Sequence, residues 1–391
     1  MKDIKNLILG AGLVTVMLSA CENSNLTQSG LNPADFDSTV LGKKTELITL
    51  KNNQGMEVCL TNYGGRVVSI SVTNKDGKPT DVVLGYDNIH QYADTLNSPS
   101  DYGSSVGRYA NRIKDSKLQL NGQTYQLKAN DNGNCLHGGG ATGWLNQVYD
   151  VTAKNDSSVT FTIHAKDGEN GFPGNVTATA TYTVKSDNTL DIVFGATTDK
   201  ETVINMTNHS YFNLNGDPSK EGFDQIMYVN ADKFTPSDKL YIPTGEIKNV
   251  TGTPMDFRTP TEIGKKVDYN FEQIKNATGY DHNWCLNTYK NGKGDDKTVC
   301  ASLYSPKSGI LLEVFTNEPG IQVYTGNFQG TGISCKHGIK YPKHVSVCFE
   351  SQKYPDSPTK ISQGVKDWTD ATLKPGEKYY SHLAYKFSVK K

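Results

Sequence analysis

Two segments far apart in the chain carry the side chains best suited to moving protons. They are NHSYFNL, around His209, and VCFESQKYPDSP, around Glu350. Imidazole titrates near neutral pH, and a carboxyl sheltered from water can be raised toward it, so the two can serve one molecule as acid and base. Both lie among aromatic and amide side chains, which suits a neutral polyol. Three further polar clusters stand out: Gly107-Arg108-Tyr109-Ala110-Asn111-Arg112, Leu136-His137-Gly138-Gly139 and Gly279-Tyr280-Asp281-His282. Glycines beside His137 let backbone approach a ligand closely. Taken singly, each cluster has a plainer reading: a solvated basic loop, a turn histidine, a half-buried strand end, a turn aspartate.

Strands are the elements that must position these groups. Val176 to Val184 alternates apolar and hydroxyl residues over nine positions, a period of two. Val159, Phe161 and Ile163 repeat the pattern, as do Leu190, Ile192 and Phe194. Turn dipeptides recur at Asn121-Gly122, Asp167-Gly168, Asn215-Gly216 and Asn291-Gly292. Only short stretches such as Phe271 to Ala277 suggest helix. Many short strands with this punctuation predict an all-β domain of two large packed sheets. On a strand from Val345 to Glu350, Val345, Val347 and Phe349 share one face while Ser346, Cys348 and Glu350 share the other. Ile321 and Val323 likewise oppose Gln322 and Tyr324, so Glu350 and Gln322 are expected to project together from a face that is not the core.

The chain has 391 residues and a formal charge of −1. Acids and bases are interspersed, which leaves no electrostatic footprint for nucleic acid. Lys2 and Lys5 precede an apolar run from Leu7 to Ala20 that ends in Leu18-Ser19-Ala20-Cys21. That run is shorter than the ~20 residues needed to span a bilayer, and reads as a signal-peptide core. Residues 22–44 are polar and aperiodic, and read as a flexible tether. Six cysteines follow Cys21: Cys59, Cys135, Cys285, Cys300, Cys335 and Cys348. None forms a Cys-x-x-Cys pair, so no zinc site is expected. Export would permit disulfides, but spacing does not say which.

In this order the clusters resemble the galactose mutarotase (aldose 1-epimerase) family. The matching stretches are GRYANRI at Gly107–Ile113, LHGG at Leu136–Gly139, NHSYFNL at Asn208–Leu214, GYDH at Gly279–His282, PGIQVYTGN at Pro319–Asn327 and FESQKYPDSP at Phe349–Pro358. Six ordered motifs over residues 45–391 are far more specific than one short motif. The resemblance implies an all-β fold, a large antiparallel β-sandwich of the galactose mutarotase-like kind with an open sugar cleft. It implies Glu350 as general base and His209 as general acid. Asn111, Arg112, His137, Asp281 and Gln322 become sugar-binding positions, with Arg108 left as structural. The implied reaction is interconversion of the anomers of free hexoses such as glucose and galactose, without metal or cofactor. The implied partner is a small aldose, and the chain would be a monomer or weak dimer. The leader resembles a lipoprotein signal, which implies removal of residues 1–20, a lipid on Cys21 and a tether over 21–44. The protein would then be exported and held at a bacterial membrane by its lipid alone. Two other readings compete: a glycoside hydrolase, which needs two carboxylates flanking one bond, and a non-catalytic sugar-binding lipoprotein on the same scaffold.

Overall fold

A computed structural model of the chain describes residues 26–390. The expectations for residues 1–20 and for lipidation at Cys21 fall outside that range. Period-two alternation decides the architecture. In the Val176–Val184 strand, Val176, Ala178, Ala180, Tyr182 and Val184 are buried, while the intervening threonines are exposed or half-buried. Neighbouring strands repeat this, and nine join in one antiparallel sheet. Its order is Asp150–Lys154, Ser158–Ala165, Val176–Val184, Thr189–Thr198, Tyr379–Val389, Ile310–Thr316, Ala301–Tyr304, Ile226–Val229 and Thr261–Glu262. The long C-terminal strand sits between Thr189–Thr198 and Ile310–Thr316 and ties the two halves of the sheet together.

A six-stranded sheet runs Tyr211–Phe212, Val347–Gln352, Gly320–Tyr324, Asp281–Cys285, Lys233–Thr235 and Lys248–Asn249. A four-stranded sheet runs Leu47–Lys51, Glu57–Thr61, Arg66–Thr73 and Pro79–Asp81. Side chains from all three merge in one apolar core: Ile48 and Val58, Phe161 and Phe194, Ile321 and Phe349. This is the expected β-sandwich. Helices are short, and one of them, Glu272–Ala277, falls where the sequence suggested. The Asn121-Gly122 and Asn291-Gly292 pairs close two-residue hairpins with both residues at positive φ, as that turn requires. All six cysteines of the described region are free.

The expectation of a flexible tether reaching residue 44 is corrected from residue 26 onward. Pro33–Phe36 forms a turn of 3₁₀-helix capped by Asn32, and Ser38–Val40 pairs with Lys43–Thr45. Leu31 is 1 % exposed and Phe36 0 %. The Gln28 main-chain N–H donates to Glu57 at 2.6 Å, and the Thr45 hydroxyl donates to the Phe36 carbonyl at 2.8 Å. Two isolated apolar anchors have no periodicity to reveal them, yet each contributes roughly 1.5–3 kcal/mol on burial. They belong to a second apolar cluster with Tyr86, Tyr92, Tyr102, Tyr211 and Tyr324.

Phe36→Ala is expected to lower the unfolding free energy by about 3–5 kcal/mol, measured by urea titration. A chain beginning at residue 45 should unfold at lower urea than one beginning at residue 26. Equal midpoints would restore the segment to the role of a tether.

Candidate active site

Sheet register brings three of the expected residues together. Gln322 and Glu350 lie directly opposite one another on adjacent strands, and the next strand pairs Asp281 with Tyr324 and Asn283 with Gln322. Ile321, Val323, Trp284, Val347 and Phe349 turn into the core. By alternation Gln322, Tyr324, Cys348 and Glu350 turn the other way. The Gln322 side-chain amide donates to Asp281 Oδ1 at 2.7 Å across the strands.

His209 follows the two-residue Thr207–Asn208 strand and precedes Tyr211–Phe212, which pairs with the Glu350 strand. Its main chain is pinned on both sides, its N–H donating to Ser104 O and its carbonyl accepting from Gly103 N–H, each at 2.9 Å. Asn208 reinforces this, donating from Nδ2 to Gly103 O at 2.8 Å and accepting from the Ser210 hydroxyl at 2.6 Å. Gly103 is required there, since a Cβ would lie 1.8 Å from Val67 O. The imidazole stacks on Tyr211 at 4.8 Å and meets His137 edge-on at 5.4 Å. Its Nε2 lies 3.4 Å from Glu350 Oε1. Behind Tyr211 an edge-to-face series runs through Tyr102, Tyr86 and Tyr92 at 4.9, 5.3 and 5.1 Å. Phe36 closes it against Tyr92 at 6.4 Å, so the N-terminal segment backs the wall that holds the imidazole.

The first two polar clusters interlock. Arg112–Ile113 pairs with Cys135–Leu136, and the His137 N–H donates to Asn111 O at 3.1 Å. In return the Asn111 main-chain N–H donates to His137 Nδ1 at 3.2 Å. Asn111 has φ of 63°, and its side-chain oxygen accepts from the Arg112 N–H at 2.8 Å, so its amide N–H₂ is the half free for a ligand. Arg112 donates from Nε to Asp131 Oδ2 at 2.6 Å and lies over the Tyr241 ring at 4.7 Å. Arg108 is set apart, donating to Pro173 O at 2.7 Å and Gly174 O at 3.1 Å.

These elements enclose a cleft of about 270 Å³. Glu350, His209, Asn111, Arg112, His137 and Asp281 all line it. Gln322 does not; it stands one step behind, holding Asp281. The sequence reading missed Asp101 and the tyrosines at 102, 211 and 324, which also line the cleft. Tyr211 sits inside NHSYFNL and Tyr324 shares the face of Gln322, so alternation could have found both. Asp101 lies in a polar loop with no comparable signal. Glu350 Oε2, His209 Nδ1 and Gln322 Oε1 are buried without a partner in the protein, and such groups concentrate where a site is built for something else.

Burial dominates the electrostatics. It pushes the Glu350 carboxyl well above the usual carboxylate range; Asp281 and Asp101 push the same way and Arg112 opposes them. Burial lowers the His209 imidazole, against the pull of Asp101 and Asp281. Asp281 is raised by burial and drawn back by Arg112 and the Gln322 hydrogen bond. His137 is driven down to about 3 by burial and is neutral at pH 7. Because its Nδ1 accepts a main-chain N–H, the neutral ring carries its proton on Nε2 and offers a donor.

Residues 46–386 match the model of the aldose 1-epimerase family. The chain is 37% identical to the galactose mutarotase of Bos taurus over 357 residues, 91% of this chain and 98% of that one. It is 36% identical to the aldose 1-epimerase of Escherichia coli (strain K12) over 348 residues, 88% and 96% of the two chains. Among solved structures, an aldose epimerase homologue from C. elegans superposes with a TM-score of 0.79 at 30% identity, covering 89% of this chain and all of that one. A galactose 1-epimerase from Lactobacillus acidophilus gives 0.77 at 29%, covering 90% and 97%.

Proposed function

The chain belongs to the aldose 1-epimerase family and is a mutarotase, and on that premise we propose that Glu350 and His209 exchange the anomers of free hexoses such as glucose and galactose. One observation carries the assignment of roles: a buried carboxylate and a buried imidazole 3.4 Å apart on the wall of the cleft. The two oxygens a mutarotase must serve, the anomeric hydroxyl and the ring oxygen, share one carbon. Their proton partners must therefore be neighbours.

Glu350 takes the proton of the anomeric hydroxyl while His209 gives one to the ring oxygen. The bond from C1 to the ring oxygen breaks and the free aldehyde forms, with no change of oxidation state. Rotation by about half a turn around C1–C2 presents the other carbonyl face, and the reverse transfers close the ring as the other anomer. Each positioned donor or acceptor contributes ~10²–10⁴-fold. Arg112 stabilises negative charge developing on oxygen, and neutral His137 offers its one donor, Nε2–H, to a sugar oxygen.

Ring opening converts a carboxylate and an imidazolium into a carboxylic acid and a neutral imidazole. Burial favours the neutral pair; Arg112 favours the Glu350 carboxylate, while Asp101 and Asp281 favour the His209 imidazolium and at the same time resist the carboxylate. The opposition keeps both halves of the cycle within reach, since neither form is stabilised alone.

The competing readings meet specific obstacles. A glycosidase needs a second carboxylate flanking the same bond as Glu350, whereas Asp281 is bonded to Gln322, Asp101 lies against His137 and His209, and the neighbour of Glu350 is an imidazole. A binding protein without turnover would dispense with the acid or the base, and both are present. A phosphorylated sugar would need a free cation, but Arg112, the one Lys or Arg among the lining residues, is paired with Asp131.

Polarimetry of fresh α-D-glucose and α-D-galactose tests the assignment. The wild-type chain should hasten approach to the same final rotation. Glu350→Gln and His209→Asn should each lower kcat by about 10²-fold or more while sugar binding persists; turnover retained in Glu350→Gln removes that residue from the mechanism. The pH profile of kcat/KM should be a bell. Below the acid limb the pair holds two protons and has no base; above the alkaline limb it holds none and has no acid. With His209 lowered and Glu350 raised, the acid limb should fall below the ordinary imidazole value of about 6.5 and the alkaline limb above the carboxylate range. A single limb would contradict the shared proton.

A further inference from the structure

The roles assigned so far leave one carboxylate of the cleft unused. Asp101 lines it, and its main chain is firmly held. Arg66, 0 % exposed, donates from Nη1 to the carbonyls of Ser100 and Tyr102, the residues on either side, at 3.1 and 3.0 Å. The Ser104 N–H and hydroxyl both donate to the Asp101 carbonyl, at 3.0 and 2.9 Å. The carboxylate itself is half-buried and accepts no hydrogen bond from any described residue.

One carboxylate oxygen of Asp101, one ring nitrogen of His137 and one of His209 all lie within 4.8 Å of one another. The centre of a triangle with 4.8 Å sides is about 2.8 Å from each corner, which is hydrogen-bond length. Two histidines and a carboxylate are also a familiar set for a cation. Here the donor chemistry speaks against one. His137 Nδ1 is already engaged by the Asn111 N–H, so the other ring nitrogen carries a proton and repels a cation. A hydroxyl oxygen fits the same three groups, accepting from imidazole N–H and giving its own proton to the carboxylate.

We propose that Asp101 is a substrate-binding, specificity-determining residue that fixes one ring hydroxyl of the aldose between its carboxylate and the two imidazoles. This rests on the mutarotase reading of the site. With Asp281 and Glu350 it makes three acids around one ion-paired arginine, an arrangement that receives neutral hydroxyls and turns away uronic acids and sugar phosphates.

Initial-rate mutarotation of glucose and of its 2-, 3-, 4- and 6-deoxy analogues, by the full-length wild type and by Asp101→Asn, tests it. The wild type should lose 10- to 100-fold in kcat/KM on the analogue lacking the bound hydroxyl. Asp101→Asn should lose a similar factor on glucose and little more on that same analogue, because the second deletion removes a contact already gone. Losses that multiply for every analogue, or glucose kinetics unchanged in Asp101→Asn, would overturn the proposal while the mutarotase reading stands. A wild type that loses nothing on any analogue would overturn it without reference to the variant. No acceleration by the wild type on any sugar would overturn both.

Discussion

Glu350 and His209 meet at 3.4 Å with almost no access to water, 2 % and 4 % exposed. A carboxylate and an imidazolium in that position lose most of their hydration, and the attraction between them only partly replaces it. The neutral pair avoids that loss. The surrounding charges divide: Asp101 and Asp281 favour the imidazolium but resist the carboxylate, which Arg112 favours. A proton that passes from His209 through the sugar to Glu350 therefore moves within one buried pair under opposing influences, burial on one side and Arg112 with the acids around His209 on the other. That balance is what the rest of the fold has to hold in place.

The support comes from backbone rather than from flexible side chains. Glu350 is fixed by a central strand with neighbours on both sides. His209 is fixed by main-chain bonds to Gly103 and Ser104. Two buried arginines organise the loops around them, each bonded to several main-chain carbonyl oxygens. Arg66 gathers Ser100, Tyr102 and Leu145, while Arg108 gathers Pro173 and Gly174. Using carbonyls leaves the carboxylates of the cleft unpaired with these cations and available to substrate. The ring series from Phe36 to Tyr211 supplies a stiff wall behind the imidazole, since its four tyrosines meet one another in the favoured edge-to-face manner and Phe36 packs tilted against the last of them.

Much of this was legible in the residues. Alternation placed Glu350 and Gln322 on one face because a strand allows no other arrangement, and ordered motifs supplied the partners that alternation could not. What escaped detection shares a physical cause. Leu31 and Phe36 are single anchors in a polar stretch, and burial of a lone side chain leaves no period. Asp101 acquires meaning only because Arg66, thirty-five positions earlier, clamps the carbonyls beside it. Gln322 was expected on the sugar; its amide N–H₂ instead holds Asp281, a diagonal contact that depends on strand register and not on strand face, while its oxygen has no partner in the protein.

The protonation state of the resting pair is the most direct test of the central claim. Isotope-edited infrared spectroscopy of the ligand-free enzyme at pH 7 can read the Glu350 carboxyl, using Glu350→Gln to assign the band. One proton shared by the pair is the predicted result: the Glu350 band and the His209 nitrogen shifts should report either carboxylate with imidazolium or carboxylic acid with neutral imidazole. A carboxylate beside a neutral imidazole, or a carboxylic acid beside an imidazolium, would contradict it, because the pair would then hold no proton or two and could not act as acid and base together.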